Sequence, residues 1–399
     1  MKTIVFVRNA ANPRMYNQMF ALKQTNKYRL IHVCKTFDSY TLSRFNKVFD
    51  KIICYQPLDL QKHGLRQNVK SSFPIHFMRY VIAHYIDPRI GHLGERIRLP
   101  SLLKQLKVDV FNCLGTCELT AQVIKNTKSP VILDFHNGSI SKGIENLSKE
   151  EYERDKYCFE HASGIIHRGP KFEMDYYRSH GYKITCPIFH YVDGCNKEFF
   201  VKHNVKKLSD EDREYHLVNT GSGLYSHDNI IFTKKITKQK IHMHIYPVPH
   251  SIISPIVFKE LIKLNKTEKY FHLEKAVPFD KVPQEISKYD FGLNMTGDLH
   301  KYRQEYLKIA SGYRIFTYFE ASLPIILSNR MEFMKKIVEE NKAGFSVKDN
   351  EIDDIQNMIK KYNYKELREN VFRAREKLSI NNYAERLIKF YDEIIQKDR

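Results

Sequence analysis

The stretch "SGYRIFTYFEASLPIILSN", residues 311–329, decides how the chain is read. Up to Ala321 the residues read as a helix. Pro324 breaks it, because the proline ring cannot carry the helical hydrogen-bond ladder onward. Ile325-Ile326-Leu327 then reads as a short buried strand. A helix feeding through a small residue and a proline into an apolar strand is half of an alternating α/β unit.

The same alternation extends outward on both sides. In the first half, strands are predicted at 2–7, 28–34, 49–56, 108–115, 130–138 and 163–169. Helices fall between them near 15–24, 117–126, 149–162 and 171–181. Residues 193–215 are polar and charged, lack an apolar period, and read as an interdomain linker. A second series starts at 216–223 and continues through strands at 240–247, 269–277 and 290–295, with helices near 255–265 and 280–289. A long loop is predicted at 296–312, then the helix into Ala321, then the strand, then a helix over 331–342 capped by Gly344. The chain ends in an amphipathic helix at 381–395. The fold class is therefore α/β, with two Rossmann-like domains at 1–192 and 216–375 and a C-terminal segment at 376–399. Ligands of such sheets bind outside the carboxyl ends of the strands, so the cleft between the domains is the expected site.

Composition narrows the function. With 42% hydrophobic and 28% charged residues the chain is globular, and no window nears the 18 apolar residues of a membrane span. The apolar run Ile4–Val7 is too short for a signal peptide. The seven cysteines are scattered, and only Cys113 and Cys117 are close, which suits reduced thiols in a cytoplasmic protein. The net charge of +19 attracts polyanions, anionic lipid and phosphorylated ligands. Zinc-finger spacing and the aromatic RNA-binding signature are both missing, so nucleic acid is not an expected partner.

Three stretches resemble GT-B glycosyltransferases, and glycosyltransferase family 4 most of all. "YCFEHASGIIHRGPKFEMDYYRSHG" (157–181) is similar to the element that closes their N-terminal domain. "KAVPFDKVPQEISKYDFGL" (275–293) resembles the strand, donor-base loop and helix of their C-terminal domain. "SGYRIFTYFEASLPIILS" (311–328) resembles their donor-diphosphate helix. The resemblance implies a final helix that crosses back to the first domain. It also implies a sugar transferred, with retention, from a nucleotide-sugar to a glycan, lipid-linked or protein-linked acceptor in envelope or glycoconjugate assembly. No cofactor or metal is implied, and the chain has no Asp-x-Asp motif.

By the same resemblance, Ser311 and Gly312 form the turn before the diphosphate helix, and Arg314 clamps phosphate oxygens with its forked guanidinium. Val277 and Pro278 border the donor base, and Gly221, Ser222 and Gly223 bring backbone N–H groups to phosphate. His136 takes the catalytic place after the fifth strand, with Asn137 beside it. Arg8, Asn9 and Asn12 face the acceptor. The family's Glu-x7-Glu pair falls on Ile309 and Thr317, so it is absent, and Glu320 lies three residues beyond the second position. Thr317 and Glu320 remain donor-side candidates. Two alternatives stay open: a GT-B-fold nucleotide-sugar epimerase, for which no cleft carboxylate pair is evident, and an inactive glycosyltransferase-like scaffold, which the missing pair favours. Basic and aromatic residues interleave over 73–107, which suits an anionic surface on the inner face of the membrane.

Overall fold

The computed structural model describes residues 1–8, 12–34, 47–54, 99–135, 141–202, 205–221, 227–247, 255–296 and 302–397. Two parallel sheets organise them. The first has the order β3-β2-β1-β4-β5-β6-β7 and the second the order β10-β9-β8-β11-β12-β13. Strands β1 (Lys2–Arg8), β2 (Tyr28–Cys34), β3 (Lys51–Cys54), β4 (Val110–Leu114), β5 (Val131–Phe135), β6 (Gly164–His167) and β7 (Ile188–His190) form the first. Strands β8 (His216–Thr220), β9 (His242–Tyr246), β10 (Phe271–Leu273), β11 (Phe291–Asn294), β12 (Ile325–Ser328) and β13 (Gly344–Val347) form the second.

Every strand of the first sheet is sandwiched, so side chains alternate between two apolar layers. Val5 and Val7 enter one layer with Leu133 and Phe159. Ile4 and Phe6 enter the other with Met19, Leu387, Phe390 and Tyr391. The last three belong to the Ala384–Lys397 helix, which returns from the second half of the chain to cover the first sheet. A Cβ at Gly164 would meet the Phe390 ring at 2.8 Å, so this contact requires glycine. Burying Leu387, Phe390, Ile394 and Ile395 contributes about 1.5–3 kcal/mol per side chain.

The first helix, α1 (Pro13–Lys23), starts where the sequence signals a start. Asn12 caps it, its Oδ1 accepting from the Met15 N–H at 2.9 Å, and Pro13 occupies the first turn.

Several elements differ from the sequence reading. The expected loop 296–312 contains the helix Tyr302–Ile309. Strands β7 and β13 were not predicted; each has only three or four residues, too few to show a period. Gly344 opens β13 instead of capping the preceding helix, which ends at Glu340 and turns through Lys342 at φ 49°. Of the predicted helix pair at 73–107, residues 73–98 lie outside the described residues and 99–105 are helical.

Segment 193–215 joins the two sheets but is packed against both halves. Lys207 is buried, and its ammonium donates to the Ser287 and Tyr289 carbonyls at 2.6 and 2.7 Å. Cys195 forms a parallel bridge with Ser379. The segment's polar residues divide between buried ones that hydrogen-bond to the domains, such as Asn196 and Lys207, and exposed ones such as Lys206 and Glu211.

Candidate functional site

Both sheets reverse strand order at one place, between β1 and β4 and between β8 and β11. Crossovers leave such a point in opposite directions and open a crevice at the carboxyl ends of the strands. The candidate residues of the second sheet gather there. Gly221, just past β8, has φ 100°, a left-handed value that suits glycine. A Cβ on it would sit 3.3 Å from Arg314 Nη2, so the bare backbone lets the guanidinium lie alongside. Arg314 Nη1 donates to Asn294 Oδ1 at 2.8 Å, at the end of β11. The Asn294 amide in turn donates to the Met334 sulfur at 3.5 Å.

Tyr318, one turn along the Arg314–Glu320 helix, anchors this group. Its hydroxyl accepts from the Thr220 N–H at 3.2 Å and donates to the Leu293 carbonyl at 2.8 Å, which ties β8 to β11. Burial pushes the phenol up, against the pull of Arg314, so it stays a donor. Its ring lies over Gly292, where any Cβ would collide with it. Arg314 is thus a half-buried, oriented planar cation at the switch point, shaped to take two oxygens of a phosphate.

The neighbours expected to share this role are placed differently. The Gly312 N–H donates to the Met334 sulfur at 3.2 Å. The Ser311 carbonyl accepts from Arg14 of α1, and its hydroxyl donates to Asp193 at 3.4 Å. Ser311 therefore serves the junction with the first half, while Gly312 packs against the Glu332–Glu340 helix of the second. The helix itself spans only seven residues, so its dipole adds little and the positive charge rests on Arg314. Thr317 is half-buried one turn beyond Arg314.

Glu320 corrects the donor-side expectation. It is 1% exposed, and its Oε1 accepts from the Asn196 N–H at 2.8 Å and the Tyr313 hydroxyl at 3.2 Å. It holds the connecting segment instead of facing the crevice. Val277 and Pro278 are half-buried, and the next residue, Phe279, packs edge-on against Tyr16 of α1 with centroids 5.7 Å apart. Ser222 and Gly223 lie outside the described residues.

The first sheet contributes a buried ionic network. Arg8 ends β1 and pairs with Asp134 of β5, and Arg168, just past β6, pairs with the other oxygen of the same carboxylate. Arg168 Nε also reaches Asp193 at 3.1 Å, and Arg14 pairs with Asp193 from α1. Gln18 donates to Asp134 at 3.2 Å. Burial alone would raise the Asp134 pKa, but Arg168 and Arg8 outweigh it and hold the carboxyl below its ordinary range. Arg8 is 1% exposed and belongs to this network, which corrects its reading as an acceptor contact. Asn12 is the α1 cap. His136, Asn137 and Asn9 lie outside the described residues.

Three guanidinium groups meet two carboxylates here, an excess of one positive charge. The flanking stretches 9–11 (NAA) and 136–140 (HNGSI) contain no carboxylate. Sequence reasoning missed Arg14, Arg168 and Asp193. The available signal was an arginine just past the short strand Gly164–His167, two residues after the apolar pair Ile165-Ile166. A separate hollow of about 370 Å³ lies at the edge strand β7, lined by Lys171, His190, Tyr383 and Arg386, away from the switch point.

The chain shares its fold with several solved structures. Sucrose-phosphate synthase from Thermosynechococcus elongatus superposes with a TM-score of 0.63 at 10% identity, over 100% of both chains. The architecture is GT-B-like. Anabaena HepE in complex with UDP gives a TM-score of 0.62 at 10% identity, over 98% of this chain and 100% of that one. The UDP-GlcNAc 2-epimerase from Neisseria meningitidis bound to UDP-GlcNAc gives 0.56 at 12% identity, over 98% and 100%. A family model described as "Glucosyltransferase 3-like, C-terminal domain" matches residues 230–390. No curated protein matches the sequence. Among the described residues, no helix is long and apolar enough to cross a membrane.

Proposed function

We propose that the protein is a glycosyltransferase that moves a sugar from a nucleotide-sugar donor to a glycan, lipid-linked or protein-linked acceptor. The observation that carries this reading is Arg314, held by Asn294 against the backbone of Gly221 at the switch point of the second sheet. The match of residues 230–390 to the glucosyltransferase 3-like domain supports it. The GT-B-like neighbours captured with UDP or UDP-GlcNAc support a nucleotide diphosphate as the ligand class.

In this reading the donor diphosphate lies along Gly221 and is neutralised by Arg314. Val277 and Pro278 border the base, with Ser222, Gly223 and Thr317 beside the phosphates and sugar. The excess charge around Arg8, Arg14 and Arg168 raises the potential of the crevice without touching the ligand. His136 and Asn137, next to Asp134 in sequence, orient the sugar and acceptor, with Asn9 opposite. The transfer needs no cofactor and retains the anomeric configuration. The basic and aromatic residues of 73–107 support docking on the inner face of an anionic membrane, in envelope or glycoconjugate assembly.

The test is a thermal-shift panel of UDP, GDP, CMP and ADP, followed by hydrolysis and transfer assays with the matching nucleotide-sugars. Stabilisation by one nucleotide, abolished in Arg314→Ala with the fold intact, is the expected result. A protein that none of the four stabilises would end this reading. The epimerase reading is favoured by the epimerase among the similar structures, and isomerised free donor without transfer would select it. The anomer of the transferred sugar decides retention, and flotation with anionic liposomes decides the membrane contact.

A further inference from the structure

The amino ends of β8, β9 and β10 bear a histidine cluster unrelated to the crevice. His216 and His242 are register partners across β8 and β9, and His244 and His272 are partners across β9 and β10. Strand alternation puts all four on one face, while Leu217, Met243 and Phe271 point into the opposite core layer. The rings stack, His216 on His242 with centroids 4.4 Å apart and planes within 5°. His216 and His242 are 4% and 8% exposed.

Two carboxylates from the connecting segment close over this face. Asp212 Oδ2 lies 2.9 Å from His216 Nε2 and 3.8 Å from His242 Nε2. Glu214 Oε2 lies 2.6 Å from His242 Nε2, and its other oxygen accepts from the Tyr270 hydroxyl at 3.2 Å. Asp212 and Glu214 are 40% and 28% exposed, so an ion can enter from solvent.

The hydrogen bonds behind the rings set their tautomers. The Glu274 carboxylate accepts from His244 Nδ1–H at 2.9 Å, which leaves the lone pair on His244 Nε2. That nitrogen accepts from His216 Nδ1–H at 3.0 Å. The lone pair of His216 is then on Nε2, directed at the Asp212 carboxylate. An imidazole lone pair facing a carboxylate at hydrogen-bond distance calls for a shared cation. The Glu274–His244–His216 chain is the outer support that metal-binding histidines use, fixing the tautomer and raising ligand basicity. His242 has a similar partner, its Nδ1 lying 2.8 Å from His272 Nε2.

We propose that Asp212, Glu214, His216 and His242 form a binding site for a divalent transition metal, Zn²⁺ by donor type. The ligand atoms of Asp212, His216 and His242 lie within 4.8 Å of one another. Bonds of about 2.0–2.2 Å to a tetrahedral ion place ligand atoms roughly 3.4 Å apart, so small rotations of these three side chains close around an ion, and Glu214, now on His242 Nε2, swings in as the fourth ligand. Two neutral imidazoles with two carboxylates balance a 2+ charge, and imidazole donors favour zinc over calcium or magnesium. Asp212 and Glu214 stand on the segment that enters β8, so the ion pins the connection between the sheets to the second sheet. The site is structural and lies at the opposite ends of the strands from Gly221 and Arg314.

The test uses the full chain without a histidine tag, stripped with a chelator. Zn²⁺ is titrated against a chromophoric competitor, and Co²⁺ spectra report the donor set. The expected result is one tight ion per chain, tetrahedral d–d bands without thiolate charge transfer, and a rise in Tm on adding Zn²⁺. Asp212→Asn and His242→Gln each remove tight binding, and Glu274→Gln weakens it about 10–100-fold through the outer support. Asp212 is on the surface, so its variant keeps the metal-free circular dichroism spectrum even if a histidine variant does not. Three results overturn the proposal: no ion bound, which assigns the shared cation to a proton; binding unchanged in Asp212→Asn; or thiolate charge transfer, which assigns the ion to cysteines.

Discussion

Replacing Asp134 with Asn keeps shape and removes one negative charge from the centre of the first domain. Asp134 is 0% exposed, with Arg8 and Arg168 on its two oxygens. In the variant Arg8 loses its carboxylate, and Arg168 is left to share Asp193 with Arg14. Breaking a buried pair from one side costs about 3–5 kcal/mol. Set against a typical total of roughly 5–15 kcal/mol, that is a large fraction. Arg8→Met acts in the opposite direction, because it leaves two guanidinium groups with two carboxylates. It should cost clearly less than Asp134→Asn. The chain has no tryptophan, so urea unfolding followed by far-UV circular dichroism is the suitable assay. The pH dependence has a definite sign. The folded carboxyl titrates below its ordinary value, so its stabilisation is complete above that value and is lost as pH falls through the lower folded pKa. Asp134→Asn should therefore flatten the loss of stability below about pH 4. If Arg8→Met proves as damaging as Asp134→Asn, or if the Asn variant costs under about 1 kcal/mol, the excess-charge account of this network is wrong.

Other perturbations separate the remaining contacts. Gly292→Ala should destabilise by about 1–3 kcal/mol or more, because the new methyl meets the Tyr318 ring; urea midpoints check it. Arg314→Lys should weaken nucleotide-diphosphate binding by calorimetry while leaving Tm in place, since a lysine keeps the charge but loses the fork. Burial pushes the Lys207 ammonium down to about 7, so the folded state binds fewer protons than the unfolded chain above that pH. Its contribution makes stability rise from pH 7 towards 10, and Lys207→Met should flatten that rise. Ser322→Ala removes a hydroxyl that accepts from Arg375 at 2.7 Å in a residue held at φ 62°; a loss of about 1–3 kcal/mol is expected in the same denaturation assay.

The strand and helix alternation was legible because burial on both faces imposes continuous apolar runs such as Ile325–Leu327 and Val131–Leu133. The position of Arg314 in the first turn of the helix that runs into Pro324 was legible as well, because it follows from local order. The absence of the glutamate pair at Ile309 and Thr317 is likewise plain in the sequence. What each polar side chain touches was not. Glu320 looked like a donor-site acid until packing turned it to the Asn196 backbone, and Arg8 looked like a ligand contact until β5 and β6 enclosed it. The buried network joins residues from 8 to 193, and the histidine cluster joins residues from 212 to 274. Such groups are defined by strand register between segments distant in the chain, and a one-residue slip would send each to the opposite face. Periodicity and chain order thus came from the sequence itself. The pairing of charges across strands, and with it the burial of Arg8 and Arg168 around Asp134, was decided by the tertiary structure alone.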